Sequence, residues 1–166
     1  MSWIEDVANE IAGAVATAWP ETDDNRMRGK SGANINWREW LSKAEAGGDG
    51  LSLPIAVVEI TRADPAPDYG DGNDVYTIPV KLYYLQSWNS GGTRLLGRQM
   101  DDLLLAKAEA IRSAFSGTFT NFQVVGQVTW DGSMYSPTNQ YLLKRQFQIA
   151  ALEVTIPILA GVSSEA

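Results

Sequence analysis

The chain has 166 residues, 45% of them hydrophobic and 20% charged, with a formal net charge of −7 and no cysteine or histidine. These values fit one globular domain with a sizeable core and argue against a disordered chain. They exclude disulfides, thiolate metal sites, cysteine nucleophiles and a Ser-His-Asp triad, so any catalysis would rest on carboxylates, Lys, Tyr or a hydroxyl. No apolar run approaches the ~18 residues needed to span a bilayer, and the acidic start Met1-Ser2-Trp3-Ile4-Glu5-Asp6 lacks the basic opening of a signal peptide, so synthesis in the cytoplasm is expected. Residues 1–74 hold 14 acidic and 6 basic side chains and residues 75–166 hold 6 and 7. That split fits two unlike faces and argues against tight binding of free nucleic acid.

In chain order, Ser2 and Glu5 make a capping-box pattern, and Trp3, Val7, Ile11 and Val15 repeat at helical spacing. This predicts an amphipathic helix over about 3–18, stopped by Pro20. Residues 20–52 are the least regular segment. They include a basic cluster at Arg26, Arg28 and Lys30, and a short helix around Trp37, Trp40, Leu41 and Ala44 that Asn36 could cap. A strand is expected over 53–62, apolar on both parities through Ile55, Ala56, Val57 and Val58, so that both of its faces are covered. A turn-rich stretch at 63–73 leads to a second strand over 74–86, in which Pro79 points to an edge position or a bulge. Together these strands read as an antiparallel hairpin.

Gly91-Gly92-Thr93 precedes the strongest helical pattern, about 94–115, with Leu96, Met100, Leu103, Leu104, Ala108, Ile111 and Phe115 as its buried stripe. A third strand is expected over 121–131. A turn from Asp131 to Asn139 follows, and then a last strand over 141–158. The apolar parity of that strand changes from Phe147, Ile149 and Ala151 to Leu152, Val154, Ile156 and Ile158, which predicts a β-bulge near Ala150-Ala151. The order helix, hairpin, helix, hairpin predicts an α+β fold: a mainly antiparallel four-stranded sheet with two amphipathic helices on one face and projecting hairpins. The domain is expected to span 1–158, with 20–52 as an insertion-like segment and 159–166 as a flexible tail.

Three patterns touch on chemistry. Asp64, Asp68, Asp71, Asn73 and Asp74 could offer hard oxygens to Ca²⁺ or Mg²⁺, but the spacing departs from an EF-hand loop, and a Pro/Gly turn explains it more simply. The adjacent pairs Asp23-Asp24 and Asp101-Asp102 do not by themselves form facing carboxylates. Gly91-Gly92-Thr93 lacks the Gly-Lys-Ser/Thr ending of a phosphate loop. No catalytic residue, cofactor or metal ligand is therefore assigned. Trp37, Trp40, Trp88, Trp130, Tyr135 and Tyr141 sit near loops and strand ends. Such aromatics either join the core or its rim or serve an interface. The interface candidates are Asp64, Asp68, Tyr69 and Asp71 of the acidic loop with Trp88, Trp130, Tyr135 and Tyr141.

The layout resembles the tail terminator (tail-completion) proteins of long-tailed bacteriophages. The likeness lies in the opening helix, in Leu53-Pro54-Ile55-Ala56-Val57-Val58-Glu59-Ile60, and in the strand Val75 to Leu85. It continues in the helix ending Ala110-Ile111-Arg112-Ser113-Ala114-Phe115 and the strand ending Leu152-Glu153-Val154-Thr155-Ile156-Pro157-Ile158. It is a likeness of element order and texture across most of residues 1–158. The resemblance implies a structural virion protein and no reaction. The protein would form a ring, usually a hexamer, at the head-proximal end of the tail, assembled in the host cytoplasm. Its partners would be further copies of itself, the tail tube protein and the neck or connector protein. DNA would only pass through the lumen, and no membrane would be involved. The alternatives are another head–tail connector, neck or minor tail protein, a small carboxylate- and metal-dependent hydrolase, or a peptide-binding adaptor.

Overall fold

The computed structural model describes residues 3–28, 54–60, 64–65, 75–90, 93–145 and 148–161. Helix α1 spans Trp3–Ala18, a 3₁₀ helix covers Pro20–Asn25, and strands β1 (Arg26–Arg28), β2 (Ile55–Ile60), β3 (Asp64–Pro65) and β4 (Val75–Ser87) follow. A small hairpin, β5 (Asn89–Ser90) and β6 (Thr93–Arg94), leads to α2 (Gly97–Ala114). The chain continues through β7 (Gln123–Val124), β8 (Thr129–Asp131), α3 (Pro137–Lys144) and β9 (Ile149–Gly161). The expected short helix after Asn36, with Trp37 and Trp40, lies outside the described residues.

The fold is α+β. The sheet runs β1-β2-β4-β9-β7, with β3 paired to β4 and β8 paired to β9, and every pairing is antiparallel except β1 with β2. Its spine is the β4–β9 pair, in unbroken register from Val75↔Gly161 to Ser87↔Ile149 and roughly 40 Å long. The expected 53–62 and 74–86 hairpin is present as β2 and β4.

Side-chain alternation sorts this sheet into two cores. Ala56, Val58, Val80, Leu82, Tyr84 and the even residues Ala150 to Ala160 face α1 and α2, packing on Val7, Ile11, Val15, Met100, Leu104, Ala108 and Ile111. On the reverse face Ile55, Val57, Tyr83, Leu85, Ile149 and Ala151 form a smaller cluster under Leu142 of α3. Burial on both parities of β2 therefore has the meaning anticipated for it.

The β9 region departs from expectation in three ways. Residues 141–144 are helical, because Ser136 caps α3: its Oγ accepts from the Asn139 N–H at 3.1 Å, and Pro137 sits in the first turn. No bulge lies at Ala150-Ala151, since the register with β4 is continuous there. The parity change arises because α3 covers the odd residues at this end of the strand, so both faces are apolar. Finally, β9 runs on through Gly161, and Leu159 to Gly161 pair with β4 instead of opening a tail at 159.

The true irregularity lies in the neighbouring strand. The expected third strand, 121–131, is split into β7 and β8, with residues 125–128 set against only Ile156 and Pro157. Pro157 has no N–H to give the edge strand, and only its carbonyl is used, accepting from Val125 N–H at 2.9 Å. Gly126 crosses the Pro157 ring so closely that a Cβ there would lie 2.9 Å from Cγ. Pro79 faces Pro157 directly across the spine. It is not on an edge strand. Its missing N–H falls where β2 has ended at the Val80 pairing and β3 begins at the Thr77 pairing.

Candidate interaction surface

At the sheet edge beside β8, a groove of about 370 Å³ opens between two walls. One wall is α2, with Asp101, Leu104 and Leu105. The other is Trp130 and the turn Gly132-Ser133-Met134-Tyr135, and Leu152 also lines the groove. Two large apolar side chains at this groove are unusually open: Tyr135 is 90% exposed and Leu105 49%. Along α3 from Tyr135, Leu143 is 45% exposed. Trp130 is half-buried, with the Arg112 guanidinium 5.6 Å from its ring centre.

The turn that holds Tyr135 outward is pinned at almost every step. Asp131 Oδ1 accepts from Ser133 N–H at 3.0 Å, Ser133 Oγ from Tyr135 N–H at 2.9 Å, and Ser133 O from Ser136 N–H at 3.1 Å. Gln140 Nε2 donates to Met134 O at 2.7 Å, and Asn139 Nδ2 to Ser133 O at 2.9 Å. Gly132 lets the turn approach the core, because a Cβ there would meet Leu152 Cδ1 at 3.3 Å and Leu104 Cβ at 3.4 Å. An exposed aromatic on a turn fixed in this way has little conformational entropy left to lose on contact.

Asn139 ties this turn to the sheet. It is 1% exposed. Its Oδ1 accepts from Ala151 N–H at 2.8 Å and its Nδ2 donates to Ala151 O at 2.9 Å. The side-chain amide thereby takes the place of a strand residue where β8 has left the edge of β9.

Two polar clusters lie elsewhere. On the reverse face Glu153 Oε1 accepts from Lys81 Nζ at 2.9 Å and from Tyr83 OH at 3.3 Å, and its Oε2 from Thr138 Oγ1 at 3.3 Å. On the helical side Glu21 pairs with Lys107 and accepts from Tyr84 OH at 3.1 Å, while Trp19 Nε1 donates to Lys107 O at 3.1 Å. Burial alone would push the Glu21 carboxyl up, but the hydrogen bond and charge of Lys107, with the other donors, outweigh it and hold the group below its ordinary value of 4.5. Burial, with the Glu21 charge beside it, pushes the Tyr84 hydroxyl far up, so it remains a donor. A depressed carboxyl stabilises the fold above the unfolded value and ceases to do so as pH falls through the folded one. Acid unfolding followed by circular dichroism is therefore expected to show a shallower loss below pH 4.5 in Glu21→Gln than in the parent protein.

Of the expected interface residues, Trp130 and Tyr135 meet at the groove. Tyr141 is half-buried against the reverse-face cluster. Trp88 is 8% exposed and belongs to the main core, so it corrects the surface expectation for that residue. Its backbone is held between Gln148 and Leu95, which seats the ring inward. Asp64 is exposed and pairs with Thr77 of β4, away from the groove. Asp68, Tyr69 and Asp71 lie outside the described residues, as do Asn73 and Asp74. Among the described residues no group of three or more Asp and Glu side chains is placed to hold a metal ion. Gly91 and Gly92 lie outside the described residues, and Thr93 belongs to β6 and not to the start of α2. Ser90 pairs with Thr93, and α2 begins only at Gly97, where Gln99 Oε1 accepts from the Leu96 N–H at 2.8 Å.

Sequence reasoning missed Leu105, Met134, Asn139 and Leu143. For Asn139 a signal was present: Ser-Pro is a helix opening, and it would have turned 136–144 from turn and strand into helix. Leu105 falls within a helical pattern whose stripe is satisfied without it, so only exposure marks it out. No known protein family matches this sequence, and neither does any curated protein. No helix among the described residues is long and apolar enough to cross a membrane.

Proposed function

We propose that this protein is a structural component of a long-tailed bacteriophage: a tail terminator that assembles as a ring, caps the tail tube and offers a surface to the neck. The observation that carries this reading is the layered architecture. Helices α1 and α2 lie together on one face of a mainly antiparallel sheet built on the long β4–β9 pair, in the helix–hairpin–helix order that the resemblance rests on. Two further features support it. The charge along the chain is uneven, acidic over residues 1–74 and nearly neutral over 75–166, an asymmetry that head-to-tail contacts can use. The pinned, exposed Tyr135 and the open Leu105 are the kind of surface that an assembled protein covers.

In this reading the ring is a homo-oligomer, usually a hexamer, and DNA passes through its lumen without specific binding. Another head–tail connector, neck or minor tail protein is the second reading, since the same layers serve it. Light scattering and negative-stain microscopy, on the protein alone and mixed with tail tubes of the virus that encodes it, separate them. The terminator is expected to appear as a ring on one end of each tube. A protein that stays monomeric and leaves both tube ends bare is not a terminator.

A further inference from the structure

We draw no further inference here: the strongest candidate, the groove between α2 and the Gly132–Tyr135 turn, carries nothing more because nothing in the structure shows what covers its exposed Leu105 and Tyr135, and the exposed charges along α2 are of both signs, Asp101 and Asp102 with Arg98 and Arg112.

Discussion

Asn139→Ala is expected to lower stability by about 3 kcal/mol, because the backbone N–H and C=O of Ala151 both lose their partner in a buried place, at roughly 1–3 kcal/mol for each group left unmet. The bond to Ser133 O is lost as well, and with it the tie between the Tyr135 turn and the sheet. For a chain of this length that corresponds to a fall in melting temperature of about 10 °C. Asn139→Leu separates the causes. It refills the space but makes none of the hydrogen bonds, so it is expected to remain nearly as unstable as the alanine variant. Thermal unfolding that places Asn139→Leu close to the parent protein would show that packing, and not the amide, is what this position supplies.

Trp19→Ala is expected to cost about 4 kcal/mol, in the usual range for deleting a fully buried large aromatic. Trp19 is 0% exposed and lies edge-on to Tyr84, with ring centres 5.2 Å apart. It fills the junction of α1, the 3₁₀ helix, α2 and β4, and its indole N–H reaches Lys107 O. Trp19→Phe keeps most of the apolar burial and gives up the hydrogen bond, so its expected loss is smaller, about 1–2 kcal/mol. Urea titration checks both. Equal midpoints for the phenylalanine and alanine variants would mean that the indole hydrogen bond, and not burial, governs this site.

The contrast between these two residues shows where local pattern carries information. Trp19 follows a helix whose apolar face is plain from Trp3, Val7, Ile11 and Val15, and its burial carries that face on into the core. Asn139 follows a local helix opening, Ser136-Pro137, but that signal says nothing of its bonds to Ala151. Its importance comes from Ala151, twelve residues away, being left without an edge partner when β8 departs. The same holds for Pro157 and Gly126. A proline in a strand announces a missing N–H, but only the neighbouring strand determines whether that gap falls at an edge, a bulge or a facing proline.

The residues by themselves determined the α+β class, the helices at the start and middle of the chain, the β2–β4 hairpin, and the exclusion of cysteine and histidine chemistry. Those features follow from short-range periodicity and from composition, which folding does not alter. Only the tertiary structure decided that the parity change of the last strand marks a second core and not a bulge, that Trp88 points inward, and that Tyr135 and Leu105 share one groove. Each of these depends on which element lies across from which, and that is settled by the packing of segments distant in the chain.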